Sequence, residues 1–359
     1  MLDYKSLTEI HIDKPDVLCG ERIRKCWDGV SKPIDGLGDF ETLICRIGAI
    51  QRSDKPSVSK RAALIFCADN GIVEEGVSQS GKEITLSVAR ALGSGISSAC
   101  HLAKFAHVDV VPVDIGIDCD EEISGVKCRK VSRGTRNFLI EPAMSERETI
   151  LAIERGIEMV QDLSGEGYRI IATGEMGIGN TTTSTAVLCA ILGIDSGVTG
   201  RGAGLSDEGL SKKKEVIRQG ISKYSFDEIK DEKEKVFEIL KTLGGLDIAA
   251  LCGAFIGGAI CHVPMVIDGV ISSTAALVSE TLLPGVKDYL IPSHKGREKG
   301  NELVLRKLSL SPDLNGNMAL GEGTGAIMLF PTLDMVMDFY ENGARFEDYK
   351  IDKYERYDK

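Results

Sequence analysis

The chain has 359 residues, 43% of them hydrophobic, which is enough apolar material for one large α/β body with an accessory piece, or for two domains. Its 54 acidic residues outnumber 43 basic ones, and a net charge of -11 excludes the basic footprint of a nucleic-acid or anionic-membrane binder while leaving room for local small-anion sites. The opening MLDYKSLTEIHIDKP lacks the basic start and apolar run of a secretory leader, no stretch approaches the ~20 apolar residues of a membrane span, and ten cysteines without a CxxC pair read as reduced thiols of a cytoplasmic protein.

In chain order, Lys5 to Ile50 reads as short helices broken by Pro15 and by Pro33 to Gly38, then a helix over Asp39 to Gln51. Ala62 to Ala68 is the first continuous apolar run, a buried strand that ends in Asp69-Asn70-Gly71. Helices follow near Ile84 to Ala91 and over Ile96 to Ala106, and the next strand, Val108 to Val113, is expected to stop at Asp114. Beyond the polar stretch SRGTRNF, helical spacing over Ser145 to Leu163 feeds a strand at Tyr168 to Thr173 and a helix at Thr181 to Leu192. A glycine-rich turn, Thr199 to Gly204, opens a charged helix from Asp207 to about Gly220. A further helix is read over Tyr224 to Thr242 and a small-residue helix over Leu246 to Ile260. Val263 to Ile267 and Tyr289 to Ser293 read as strands around a helix at Ser272 to Leu282. Helices at Glu298 to Leu308 and Ala326 to Tyr340, the second preceded by GEGTG, lead to a charged tail.

Short apolar strands separated by helices predict an α/β fold with a parallel sheet covered on both faces. Asp69, Asp114, Glu175, Asp268 and Ser293 each follow an apolar strand, at the sheet edge where open α/β folds bind ligands, although a carboxylate there also serves as a helix cap. The stretch GEMGIGNTTTSTA, Gly174 to Ala186, joins strand to helix through a turn almost without side chains, with Asn180 and Thr181 as N-cap candidates. It fits a merely tight connection, and it equally fits an anion site at a helix N-terminus. No lysine follows its last glycine and its GxxGxG spacing is not GxGxxG, so neither the nucleoside-triphosphate loop nor the dinucleotide fingerprint is present. Glu175 beside such an anion calls for a ligand with a cationic part, and a nucleotide with a positively charged base combines both. His101, His107 and His262 have no ligand spacing, so neither metal nor cofactor is expected.

GEMGIGNTT, GRGAGLSDEGLSKK, GGLDIAA, VIDGVISSTAAL, DYLIPSH and LGEGTGA occur in that order, and together they resemble the nicotinate-nucleotide:dimethylbenzimidazole phosphoribosyltransferases over about Asp39 to Tyr340. The resemblance implies a Rossmann-like parallel sheet flanked by helices, with residues 39–295 as the large domain. Segments 1–38 and 296–359 would form a small helical domain, and the chain would be a homodimer acting on two small molecules, nicotinate mononucleotide and a benzimidazole base. It implies Glu322 as general base and Glu175 beside the nucleotide and the leaving nicotinate. Gly177, Ile178, Gly179, Asn180, Gly202, Asp268 and Ser293 would hold the nucleotide, with Lys213, flanked by Lys212 and Lys214, as the cation of the charged helix. Leu320 and the loop around Ser80 and Ser87 would contact the base. Many relatives have Asp-His-Gly where this chain has Asp69-Asn70-Gly71, Tyr-Pro-Gln at Ser80-Gly81-Lys82, and Gln-Met at Ser87-Val88. These changes are expected to spare the phosphoribosyl site and to widen the choice of base. A nucleotide-dependent oxidoreductase and a catalytically idle nucleotide-binding relative are the alternatives. The first lacks its fingerprint, and the second has no need of Glu322.

Overall fold

The computed structural model describes residues 2–357. Six parallel strands form the central sheet: β1 (Arg61–Ala68), β2 (Asp109–Gly116), β3 (Lys127–Cys128), β4 (Ile170–Met176), β5 (Met265–Ile267) and β6 (Leu290–Pro292), in the order β3-β2-β1-β4-β5-β6. This is the doubly wound order in which the chain leaves β1 toward one edge and then starts again at β4 on the other side of it. The cleft beyond the carboxyl ends of β1 and β4 is therefore the natural place for a ligand. A two-stranded parallel ribbon of β7 (His294–Gly296) and β8 (Leu314–Met318) follows β6 and hangs over that end.

Helices cover both faces, as the strand alternation requires. Ala62, Leu64 and Phe66 point into one apolar layer, Ala63, Ile65 and Cys67 into the other, and all of β1 is buried. The first layer is built from α1 (Tyr4–Thr8) and from α6 (Glu146–Gly165), α7 (Asn180–Leu192), α8 (Asp207–Lys223), α9 (Glu232–Leu243), α10 (Leu246–Cys261), α11 (Val270–Leu282) and α12 (Lys299–Lys307). The second is built from α2 (Val17–Trp27), α3 (Asp39–Gln51), α4 (Glu83–Gly93), α5 (Ser98–Phe105) and α13 (Thr324–Asn342). Among the described residues, no helix is long and apolar enough to cross a membrane.

The two ends of the chain meet. Ser31 N donates to Ala344 O at 2.8 Å, the buried Trp27 lies 4.9 Å from the ring of Tyr340, and Arg356 pairs with both Asp28 and Asp35. A short helix, α14 (Phe346–Tyr349), closes this contact.

Three expected boundaries differ from the structure. Strand β2 runs past Asp114 to Gly116, because the Asp114 carboxylate is satisfied in place by Lys130 Nζ at 3.1 Å and Ile117 N at 2.9 Å. Strand β4 continues through Gly174 and Glu175 to Met176, pairing Glu175 with Phe66 of β1. The segment read as one helix from Tyr224 is a single turn at Phe226–Glu228 followed by α9, whose start is fixed by Asp231 accepting from Glu234 N at 2.8 Å.

At the amino end of β1 the Arg61 guanidinium is bidentate to Asp334 of α13 at 2.6 and 2.7 Å, donates to Ala106 O at 2.6 and 3.0 Å, and lies 5.0 Å from the Phe330 ring. Removing its counter-charge leaves a buried cation. The Asp334 side chain is 46% exposed, however, so the cost falls well short of that of a fully buried pair. Asp334→Ala is expected to lower stability by about 1–2 kcal/mol in urea unfolding, and an unchanged midpoint would show that the Arg61 contact adds nothing to the anchoring of α13.

Candidate active site

Strand β4 brings Glu175 to its carboxyl end, held between β1 and β5, where the side chain is 7% exposed. Its Oε2 accepts from Asn180 Nδ2, and the same amide donates to Asp247 Oδ2 at 3.0 Å. One NH₂ group thus bridges two carboxylates. Burial, followed by the charges of Asp247 and Asp268, pushes the Glu175 carboxyl well above the ordinary carboxylate range, and burial raises Asp247 to about 6. Asn180 is therefore not the N-cap its sequence position indicates: α7 is preceded by Gly179 at φ 92, without a side-chain cap, and the first turn of the helix opens toward the cleft.

The loop between β8 and α13 delivers the second carboxylate. Gly321, Glu322 and Gly323 all take left-handed φ, at 87, 57 and 74°, and for Glu322 that conformation costs about 1–3 kcal/mol. The loop is held down by contact with β4, since a Cβ on Gly174 would lie 2.7 Å from Gly323 N and 2.9 Å from the Glu322 carbonyl carbon. Glu322 Oε2 accepts weakly from Ala99 N at 3.4 Å, at the start of α5. Burial raises its carboxyl above the ordinary value although that N–H and the Ser97 hydroxyl pull it down.

Asp268 follows β5, and its Oδ1 accepts from Ala326 N at 3.0 Å, tying the sheet to the first turn of α13. Burial raises its carboxyl, against the neighbouring His294 ring and the N–H groups it accepts from. On the opposite wall α8, capped by Ser206, carries Lys213 inward. Lys213 is 1% exposed, donates to Thr181 Oγ1 at 2.8 Å and to Gly200 O at 3.3 Å, and forms no ion pair among the described residues. Burial lowers its ammonium to about 8, with Glu298 opposing the shift.

These side chains line one cavity of about 330 Å³. Glu175, Gly177, Ile178, Gly179, Asn180, Gly202, Lys213, Asp268, Leu320 and Glu322 all face it, as do Arg201 and Glu298, which the sequence reading passed over. Ile84, Val88, Met176, Met318 and Leu320 contribute apolar wall to it. Three expected residues do not line it. Ser87 is exposed and donates back to Glu83 O at 2.9 Å, while Ile84 and Val88, one turn apart on α4, face the cavity instead. Ser80 lies outside the wall, and Ser293 sits behind His294, donating to Ile267 O at 2.6 Å.

Asp69 and Asp114 also stay outside the cavity. Asp69 accepts from Asp118 N at 2.8 Å and contacts Thr85, whose hydroxyl accepts from Ile178 N at 3.2 Å. Asn70 does touch the glycine turn, donating to Ile178 O at 3.4 Å, so the departure at this position bears on the nucleotide end of the site and not on the base end alone. Among the described residues no group of three or more His, Cys, Asp or Glu side chains is arranged to hold a metal ion.

A family model described as phosphoribosyltransferase matches residues 12–351. The chain is 40% identical over 352 residues to the nicotinate-nucleotide–dimethylbenzimidazole phosphoribosyltransferase of Acetivibrio thermocellus, covering 98% of this chain and 97% of that protein. It is 40% identical over 335 residues to the protein of the same name from Ruminiclostridium cellulolyticum, covering 93% and 94%. The crystal structure of nicotinate-nucleotide-dimethylbenzimidazole phosphoribosyltransferase from Thermus thermophilus superposes with a TM-score of 0.86 at 30% identity, covering 94% of this chain and 100% of that one.

Because the free Lys213 ammonium is held below the ordinary lysine value, an anion that restores its charge binds best while the lysine is already protonated. Affinity for inorganic phosphate is expected to be highest below pH 8 and to fall as pH rises through it, with uptake of protons above that point. Titration calorimetry at pH 7 and 9 checks the sign. Lys213→Met should bind about 10- to 100-fold more weakly at pH 7 and lose the pH dependence.

Proposed function

The chain belongs to the phosphoribosyltransferase family, and from that membership and its cavity we infer transfer of the 5-phosphoribosyl group from nicotinate mononucleotide to 5,6-dimethylbenzimidazole or a related base. The products are α-ribazole 5'-phosphate and nicotinate, formed for assembly of the cobalamin nucleotide loop. The observation that carries this reading is the convergence of Glu175 and Glu322 on one cavity that also holds a buried lysine, which forms no ion pair among the described residues. An oxidoreductase is not favoured, since the relatives named above are all transferases.

The 5'-phosphate takes the Lys213 end, against the open first turn of α7 and the Gly202 loop. The pyridine nitrogen of the donor is quaternary, so nicotinate departs with the bonding electrons as a neutral ring and needs no protonation. As that bond breaks, positive charge builds at C1', and the carboxylates of Glu175 and Asp268 stabilise it. The benzimidazole lies at the apolar end. One ring nitrogen attacks C1' while Glu322 takes the proton from the other, and its raised carboxyl makes it a better base than an exposed glutamate. Ser80 and Ser87 do not open this end, which is walled by Ile84, Val88 and Leu320, so the small residues in that loop no longer argue for a broader base.

We read the enzyme as a cytoplasmic homodimer with the meeting chain ends as its small helical domain. Cys19, Cys45, Cys67, Cys100, Cys189 and Cys252 are free and buried, as suits a reducing compartment. Ile96 and Phe105, which bracket α5, are 78% and 79% exposed, and Met335, on the neighbouring α13, is 67% exposed, an apolar face of the kind a second copy covers. Light scattering should give twice the 38.7 kDa chain mass, and Phe105→Glu with Met335→Glu should give the single mass. A monomeric parent protein would remove the dimer from the account.

Glu322→Gln keeps size and one acceptor but cannot take a proton. It is expected to fold normally, to bind nicotinate mononucleotide unchanged, and to slow nicotinate release in the presence of dimethylbenzimidazole by about 10²–10⁴-fold. The parent enzyme should lose activity as pH falls through the raised Glu322 value, and that acid limb should be absent in the variant. Turnover at the parent rate would move the base to another carboxylate.

A further inference from the structure

We infer that His294 is a specificity-determining residue for the sugar, its Nε2 sharing a hydrogen bond with a ribose hydroxyl of the bound nucleotide. The inference rests on the nucleotide-transfer reading above and concerns a side chain which that reading leaves unused. His294 opens β7, is 4% exposed and lines the same cavity as Glu175 and Lys213.

Its tautomer follows from the Ser293 hydroxyl. Ser293 Oγ lies 2.6 Å from Ile267 O and 2.8 Å from His294 Nδ1. A hydroxyl has one hydrogen, and a carbonyl oxygen only accepts, so that hydrogen goes to Ile267. Oγ therefore meets Nδ1 as an acceptor, and Nδ1 must carry hydrogen. Nε2 is the ring nitrogen left for a ligand, a donor in the charged ring and an acceptor in the neutral one.

A flipped ring would put a carbon in place of Nδ1 and lose the bond to Ser293 Oγ. The Nδ1–Cε1 edge lies against Gly325 in the first turn of α13, where a Cβ would come within 2.2 Å of Nδ1 and 2.1 Å of Cε1. Nε2 has no hydrogen bond or ion pair with the described residues. Ser293, buried behind the ring, thereby acquires a role as a positioning residue.

The chemistry of the cavity calls for such a group. Lys213 and the open turn of α7 are donors suited to phosphate, whereas a ribose hydroxyl both donates and accepts and needs a partner of its own. Buried carboxylates already crowd the site at Glu175, Asp247 and Asp268, and another anion would add to their repulsion. An imidazole adds no negative charge and orients a hydroxyl without that cost. A site built to hydrogen-bond a hydroxyl also discriminates strongly against its absence, because the buried ring nitrogen is left unpaired.

The test compares nicotinate mononucleotide with its 2'-deoxy and 3'-deoxy analogues on the full-length enzyme, with dimethylbenzimidazole as acceptor. The parent should prefer the ribosyl donor in kcat/KM over one of the analogues by about 10- to 100-fold. His294→Asn, whose amide reaches only the Nδ1 position, should lose that preference, and His294→Gln, whose amide reaches the Nε2 position, should keep most of it. Ser293→Ala should weaken the preference and Ser293→Thr should restore it. Thermal unfolding of each variant separates misfolding from lost recognition, and if His294→Asn does not fold, the two Ser293 variants and His294→Gln carry the comparison. Equal preference in the parent and in every folded variant with a shortened side chain would overturn the assignment to His294. Absence of nicotinate release by the parent would instead overturn the transfer reading itself.

Discussion

The site depends on a contact between two stretches of backbone that lie far apart in sequence. Gly174, inside β4, touches Gly323: a Cβ on Gly174 would clash with that backbone, and one on Gly323 would lie 3.0 Å from Thr173 O. The contact seats a loop of three left-handed residues on the carboxyl end of the sheet, and the middle one is Glu322. Backbone-on-backbone packing is stiffer than side-chain packing, so the strain in that loop is offset by its fit against β4 and by the Asp268 bond to Ala326 N. The doubly wound order places Glu175 at the same point, because the strand order reverses between β1 and β4. Two carboxylates thus arrive at one cleft from opposite ends of the fold, one on a strand and one on a loop.

Such crowding is electrostatically expensive in the empty protein. Glu175, Asp247 and Asp268 are buried together and all three carboxyls are raised, so they do not all ionise at once. The Asn180 amide lowers the cost by donating to two of them. A donor with a pyridinium ring brings positive charge to this cluster, and the transition state moves that charge onto C1' beside the same groups. Lys213 has the complementary problem, a buried ammonium that Glu298 compensates only in part, and a phosphate group relieves it. A nucleotide with an anionic end and a cationic end answers both ends of the cavity.

Much of the architecture could be read from the sequence because it rests on local pattern. The continuous apolar run before Asp69, the span of α3 and the turn before α7 were all legible, and the ordered motifs carried the family. Boundaries failed where a polar residue is satisfied by a distant partner. Asp114 does not end β2 because Lys130 neutralises it, and Asn180 is the first residue of α7, behind Gly179 at the N-cap, with its NH₂ group donating to two carboxylates. The ribbon of β7 and β8 was not expected, since LNGNM has no apolar alternation. Ser87 and Ser293 were assigned by motif position. Helical rotation turns Ser87 outward, however, and the imidazole of His294 stands between Ser293 and the cavity. Asp247 lay within a quoted motif, but only the fold shows that its carboxylate meets Asn180.

The central claim is that phosphate and base occupy opposite ends of one cavity, with Glu322 at the base. A crystal structure of the enzyme with α-ribazole 5'-phosphate and nicotinate tests it most directly. A phosphate oxygen is expected within about 3 Å of Lys213 Nζ, and the free benzimidazole nitrogen within about 3 Å of the Glu322 carboxylate. A phosphate bound away from Lys213, or a base that leaves Glu322 facing solvent, would contradict it.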